Sequence, residues 1–139
     1  MFRCATAAVL AVLASVPFTL AADKAEKPKK PTGAWTHTVQ DLTVTLTFED
    51  DTFRTEITNS SGVSITADGS YGVTADGVVF GIITKAEKKG TDEGPEKGTL
   101  FSFGCKMDKD TLTLSDMNAS TGISDTARQL LQGDYKKKK

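Results

Sequence analysis

Apolar and polar residues alternate along most of the chain between residues 42 and 114. The clearest case is the run LTVTLTF at residues 42–48, in which apolar side chains alternate with threonines. Successive side chains of a strand point to opposite faces of the sheet, so this run predicts a strand with one apolar face. The same period returns in four further runs: residues 53–57, 63–67, 100–107 and 112–114. The pattern predicts an antiparallel meander of about seven or eight short strands.

Two identical blocks predict turns between these strands. The sequence TADG stands at residues 66–69 and again at residues 74–77. Asp-Gly tolerates the positive φ angles of a tight hairpin turn, and the spacing between the blocks equals one short strand plus one turn. We therefore expect a hairpin turn at each block. The hydrophilic residues 84–97 predict a long loop.

One predicted strand is apolar on both faces. Residues 78–83 read VVFGII, so a second element must cover the face that does not point to the core. A short helix is predicted at residues 124–132, because Ser124 can cap its first turn and Gly133 can end it. Ala127, Leu130 and Leu131 give this helix an apolar stripe. We expect the helix to cover the strand.

The two ends of the chain differ from its middle. Residues 1–22 contain a basic residue, an apolar run at 7–16 and small residues at the end, the order of a cleaved secretory signal. The apolar run is shorter than the ~20 residues that span a bilayer, so we expect a secreted or periplasmic protein without a transmembrane segment after processing. Residues 23–32 predict a flexible charged leader. Residues 134–139 predict a solvated basic tail, which either aids solubility or holds the protein near an anionic surface.

Residues 33–133 are then left to form one domain. The sequence has 139 residues, of which 38% are apolar, and this composition is ordinary for a globular protein. A meander with one apolar face tends to curl and close, because open strand edges invite aggregation. We predict an all-β fold: a single antiparallel meander curled into a small barrel, with a short C-terminal helix, as a monomer.

Composition also narrows the chemistry. The formal net charge is -1, which does not indicate nucleic-acid binding. After removal of the signal, His37 is the single histidine and Cys105 the single cysteine, too few for a usual zinc site, a catalytic triad or an internal disulfide. We expect no enzyme activity, no metal and no cofactor. Cys105 is either a buried thiol within a strand or a reactive thiol.

The motif Gly33-Ala34-Trp35 opens the first predicted strand. A Gly-x-Trp at this place in an exported meander resembles the lipocalin and wider calycin pattern, in particular the small lipocalin-like domains of bacterial secreted proteins. The resemblance implies a barrel in which Trp35 packs across the closed end, beneath a basic residue from late in the chain. Arg128 is the only late arginine.

Two functions follow from such a barrel. The first is a non-catalytic binding protein for a small apolar ligand, with the barrel interior lined by aromatic residues: Trp35, Phe48, Phe53, Phe80, Phe101 and Phe103. The alternative is a filled-core structural or protein-interaction module at the cell envelope. A binder needs an interior that its side chains leave empty, whereas an interaction module has a filled core and an exposed apolar patch. The five phenylalanines decide between them, because five rings in a narrow barrel would fill it.

Overall fold

The computed structural model describes residues 29–139, in which eight antiparallel strands follow one another along the chain. Each strand pairs with its neighbours in sequence and the last pairs with the first, so the sheet closes into a barrel. The elements are β1 (Gly33–Val39), β2 (Leu42–Glu49), β3 (Thr52–Asn59), β4 (Ser64–Val73), β5 (Val78–Lys89), β6 (Leu100–Asp108), β7 (Thr111–Ala119), α1 (Asp125–Leu131) and β8 (Gly133–Lys137). The predicted all-β barrel with a short C-terminal helix is confirmed. The predicted signal at residues 1–22 and residues 23–28 of the predicted leader lie outside the described part of the chain.

Strand β2 illustrates how the alternation produces the barrel. Val44, Leu46 and Phe48 are buried in the core, whereas the threonines between them are half-buried on the outer face. Burying one face of every strand removes apolar area from water, and closing the sheet satisfies the strand edges. The resulting core contains Trp35, Val44, Leu46, Phe48, Phe53, Ala67, Tyr71, Val79, Ile83, Phe103, Leu112, Leu114 and Tyr135.

The two TADG blocks have different structures. The second block forms the β4–β5 turn, where Gly77 has a φ of 86°. The hairpin predicted at the first block is wrong, because β4 continues through Asp68 and Gly69. The register shifts there, so that Asp68 pairs with Lys85 but Gly69 pairs with Ile83, which leaves one extra residue in β5. Asp-Gly therefore serves a β-bulge in one block and a turn in the other.

The long loop predicted at residues 84–97 is also shorter in the structure. Strand β5 extends to Lys89 and remains paired with β4 as far as Ser64, so the connection to β6 spans residues 90–99. The end of this connection is held against β5, because the backbone N–H of Ile83 donates to the carbonyl of Thr99 over 2.9 Å. The hydrophilic second half of β5 pairs only with β4, since β6 pairs with β5 at residues 78–82 alone. Its side chains are therefore compatible with a strand.

Helix α1 does not cover β5. Its N-cap is Ser124, as predicted, whose hydroxyl accepts a 3.1 Å hydrogen bond from the backbone N–H of Ala127. The helix packs against β7, where Arg128 Nε donates to the carbonyl of Met117, and none of its residues is buried. The prediction that it shields residues 78–83 is wrong, because β6 lies between β7 and β5. Within residues 29–139, no helix is long and apolar enough to cross a bilayer.

Both predicted tails are partly built into the barrel. Residues 133–137 form β8, which pairs with β7 and β1, so residues 134–137 are not a solvated tail. The single apolar residue of β8, Tyr135, is completely buried. At the other terminus Pro31 is buried, so the leader predicted to be flexible up to Thr32 already packs on the barrel before β1 begins.

Candidate functional site

Aromatic rings fill the interior of the barrel. The Phe53 ring lies across Gly69 and the Phe101 ring lies across Gly81, each on the neighbouring strand. A Cβ atom added to Gly69 would be 2.5 Å from the Phe53 ring, and one added to Gly81 would be 2.6 Å from the Phe101 ring. The two phenylalanines meet edge to face, with their ring centroids 4.7 Å apart. The inward-facing glycines thus provide the space that the rings occupy.

Further ring contacts continue this packing. Phe101 stacks on Phe103 at 5.9 Å, and Phe48 meets Tyr71 edge to face at 5.2 Å. Of the residues predicted to line a ligand site, the structure therefore brings four phenylalanines and Trp35 into the core, where they pack on one another and on the strands. Two depressions on the described part of the chain open at strand ends: one is lined by Asp110 and residues 136–139, the other by residues around Gly77 and Lys106.

The barrel end that carries Trp35 is closed by the segment before β1. Residues 30–32, which we term the N-terminal strap, cross this end. Trp35 Nε1 donates to the carbonyl of Thr32 over 3.2 Å, and Tyr71 Oη donates to the carbonyl of Pro31 over 3.0 Å. Trp35 is 2% exposed, so it is buried at this end of the barrel.

A lysine lies over Trp35 at this closed end. Lys137 Nζ is 5.7 Å from the Trp35 ring centroid, within cation–π range. Arg128, the late basic residue considered from the sequence, is instead on α1. The sequence does not indicate Lys137, because residues 134–139 predict a solvated tail and not a strand.

Charged groups hold the strap in place. Lys30 Nζ forms an ion pair with Asp51 at 2.7 Å and lies 5.6 Å from the Tyr71 ring centroid. The hydrogen bond to Asp51 raises the pKa of Lys30, and burial raises the pKa of the Tyr71 hydroxyl. Both groups keep their protons at neutral pH, so the strap remains bonded there.

The outer face of β5 and β6 carries the largest exposed apolar side chains. Phe80 is 49% exposed, Ile82 39% and Leu100 55%, and Ile82 pairs directly with Leu100 across the two strands. The half-buried Val78 shares this face by alternation. We term this surface, formed by Val78, Phe80, Ile82 and Leu100, the outer apolar patch.

Phe80 was predicted to point into the barrel, and the structure corrects this. The core positions of β5 are taken by Val79 and Ile83, which are 0% and 5% exposed, so the intervening Phe80 faces outward. Its ring lies over Gly72 of β4, where an added Cβ atom would be 2.9 Å from Phe80 Cζ. Its partner on β6 is Ser102. Both cross-strand neighbours of Phe80 are small, and Phe80 itself stays half exposed.

The sequence contains a signal for this patch, because the strand at residues 78–83 is apolar on both faces. The run VVFGII requires an apolar environment on both faces, and Leu100-Phe101 places an apolar residue on each side of β6. The sequence predicts that another element of the chain covers residues 78–83. In the part of the chain that the structure describes, no helix, strand or loop covers them, so Ile82 and Leu100 were missed as candidate site residues.

The two chemically distinctive side chains, His37 and Cys105, lie on β1 and β6. His37 Nδ1 is 2.9 Å from the carbonyl of Asp134, and its ring packs on Tyr135 at 4.8 Å. His37 Nε2 is buried and has no hydrogen-bond partner among residues 29–139. Burial raises the pKa of the Cys105 thiol to about 11, so the thiol is protonated at neutral pH and a poor nucleophile. No group of three His, Cys, Asp or Glu side chains in this range is arranged to hold a metal ion.

Comparisons with known proteins identify no family for this chain. No family model matches it, and neither a curated protein nor a solved structure is significantly similar to it. The likeness to lipocalins at Gly33-Ala34-Trp35 stays a prediction from sequence. The filled interior and the outer apolar patch are the two observations that bear on function.

Proposed function

We propose that this protein is a non-catalytic interaction module that binds another protein through the outer apolar patch. The observation that carries the proposal is the exposure of Phe80, Ile82 and Leu100 as neighbours on one face. Single exposed apolar residues are common on soluble proteins, but contiguous ones mark interaction sites. These three side chains point away from the core, so the barrel does not need them to be buried in order to fold.

The filled interior favours this function over ligand binding inside the barrel. A binding cavity buries most of a ligand against side chains that leave space for it. Here Phe53 and Phe101 cross the barrel interior at a centroid distance of 4.7 Å, and the strap closes one end. A small apolar ligand would have to displace these rings, which costs packing energy before any binding is gained.

The chemistry of the patch suits a protein partner. Aromatic and aliphatic side chains form the centre of protein interfaces, and small polar residues form the rim. Phe80 supplies an aromatic anchor, with Ser102 and Gly72 beside it. Three exposed apolar side chains are fewer than a standard interface of ~800 Å² per partner contains, so we expect a transient complex.

The proposed setting is the cell envelope or the exterior. It depends on the secretory signal at residues 1–22, whose order of charged, apolar and small residues is that of a cleaved leader. Mass spectrometry of the protein from its native source tests this. Loss of the first 21 or 22 residues is expected, and an intact N-terminus would contradict export by this route.

Site-specific photo-crosslinking tests the proposed function. A benzophenone side chain is placed at Ile82 in the patch or, as the control, at Glu56 on the outer face of β3, and the full chain is exposed to extract from its source. We expect a discrete adduct from position 82 and none from position 56. The adduct should disappear in the Phe80→Ser/Leu100→Ser variant, while urea unfolding of that variant changes little.

The same variants separate the patch from the interior. Displacement of an apolar dye is measured together with quenching of Trp35, which lies at the closed end. Dye binding that is lost in Phe80→Ser/Leu100→Ser and leaves Trp35 fluorescence unchanged supports the patch. Dye binding that persists in the variant and quenches Trp35 would support the ligand-binding barrel instead. Equal crosslinking from positions 82 and 56 would contradict a binding site at the outer apolar patch.

A further inference from the structure

Lysines from three distant parts of the sequence meet at the closed end of the barrel. Strand β8 ends beside the start of β1, where the backbone N–H of Lys138 donates to the carbonyl of Ala34. The β6–β7 turn joins them, because the backbone N–H of Lys137 donates to the carbonyl of Asp110. Lys29 and Lys106 line one depression at this end. We term the set the basic end: Lys29, Lys106, Lys109, Lys136, Lys137, Lys138 and Lys139.

Acidic side chains at the same end neutralise the basic end only in part. The acidic side chains at the same end are Asp108 and Asp110 in the β6–β7 turn, Asp76 in the β4–β5 turn, and Glu49, Asp50 and Asp51 in the β2–β3 turn. Asp51 pairs with Lys30, and the seven lysines of the basic end outnumber the other five acids. The strap lysine, Lys30, is left out of the set because Asp51 pairs with it. In the described part of the chain, no side-chain salt bridge engages a lysine of the basic end. The overall charge of the chain is close to zero, so this positive surface is local.

We infer that the basic end docks the protein on an anionic lipid bilayer. Each lysine near such a surface adds favourable electrostatic energy without needing a fixed geometry. The lysines of β6, the β6–β7 turn, β8 and the residue before the strap lie at one end of the barrel, which matches a surface on which negative charge is spread out. This inference does not depend on the proposed function, because it concerns a different surface.

Two features favour a bilayer over a nucleic acid. Both arginines of the described chain, Arg54 and Arg128, lie outside the basic end, and arginine is the residue that reads phosphates and base edges bidentately. The aromatic rings at this end are buried, with Trp35 at 2% and Tyr71 at 6% exposure, so none is available to stack on bases.

The placement of the two surfaces allows both to be occupied at once. The basic end lies at one end of the barrel, whereas Phe80, Ile82 and Leu100 lie on its side. A barrel standing on a membrane would present the outer apolar patch along the bilayer plane.

Charge reversal with a matched control tests the inference. One full-chain variant carries Lys29→Glu, Lys138→Glu and Lys139→Glu, all exposed and outside the strands. The control carries Lys85→Glu, Lys89→Glu and Lys97→Glu, which make the same change of net charge away from the closed end. Co-sedimentation is measured with phosphatidylcholine vesicles that contain or lack phosphatidylglycerol, at about 0.05 M and about 0.5 M NaCl. The apolar run at residues 7–16 is present in every variant, so its contribution cancels.

The expected result is specific to lipid charge, site and salt. Each lysine near an anionic surface changes partitioning about fivefold, so the basic-end variant should bind phosphatidylglycerol vesicles at least about a hundredfold more weakly, and the control only slightly more weakly. High salt should remove most of the difference. Equal loss in both variants, or equal binding to vesicles without phosphatidylglycerol, would overturn the inference. Displacement of the protein from vesicles by equimolar duplex DNA would show a general polyanion surface and would also overturn it.

Discussion

The wall of the barrel formed by β2 and β3 and the wall formed by β5 and β6 are alike inside and opposite outside. Inside, Phe48 and Phe53 of the first wall and Val79 and Phe103 of the second are all buried. Outside, the first wall presents polar pairs such as Thr45 with Glu56, whereas the second presents apolar residues: Phe80, Ile82 and Leu100.

This difference between the outer faces separates residues that the fold requires from residues that are available to bind a partner. Both walls close the same barrel, and the polar outer face of β2 and β3 shows that an apolar outer face is not required for strand pairing. Apolar residues on the outside of β5 and β6 remain in water in the described chain, where they contribute little to the free energy of unfolding. Their presence is therefore better explained by contact with a partner than by the stability of the barrel.

The comparison of the two walls predicts the largest difference in stability between replacing a core phenylalanine and replacing one on the outer face. Phe53→Ala should lower the free energy of unfolding by about 3–5 kcal/mol, because it empties the space over Gly69 and leaves Phe101 without its partner. Phe80→Ala should cost less than about 1 kcal/mol, since its ring is half exposed. Urea denaturation of both variants measures the two values. Similar losses would mean that the outer face supports the fold as much as the core does.

A smaller effect is predicted for glycines on the two faces. Gly81→Ala should cost about 1–3 kcal/mol, because its Cβ would lie 2.2 Å from the backbone carbonyl oxygen of Ser70 and would also clash with the Phe101 ring. Gly72→Ala should cost less than about 1 kcal/mol, because its Cβ would meet only the Phe80 ring, which can move into solvent. Thermal unfolding ranks them, and a more damaging Gly72→Ala would indicate that Phe80 is held in place.

The smallest effect concerns the thiol of β6. Burial raises the pKa of Cys105 to about 11, above its value in an unfolded chain, so the unfolded state loses this proton first as the pH rises. The contribution of the protonated thiol to stability is complete below the unfolded pKa and is lost between that pKa and about 11. Urea unfolding at about pH 7 and about pH 10 should therefore show a steeper loss for the native chain than for Cys105→Ala. Identical pH dependence would mean that the thiol is not desolvated.

Prediction from the sequence was most accurate where one face of a strand is buried and the other is not. The strand of residues 42–48, the core positions Phe53 and Leu112, and the cap at Ser124 are as predicted, because each depends on neighbours within a few residues. The hairpin predicted at the first TADG block is wrong because Asp-Gly fits a bulge as well as a turn. Strand β8 was missed because a five-residue strand with one apolar side chain carries almost no periodic signal.

Prediction of the candidate site also succeeded only as far as local sequence patterns allow. Phe80 was recognised as important and placed on the wrong side, because an uninterrupted apolar run does not state which of its faces is covered. Ile82 and Leu100 could be recognised only once β5 and β6 were paired and α1 was seen to lie on β7.

The sequence by itself determined the strands that have one apolar face, such as residues 42–48, and the tendency of the sheet to close, because alternation is a local property of the backbone. Only the tertiary structure decided that Phe53 and Phe101 fill the interior, that Lys137 covers Trp35 and that the outer apolar patch stays open. Each of these depends on contacts between residues far apart in sequence, and such contacts are fixed by strand register and barrel closure.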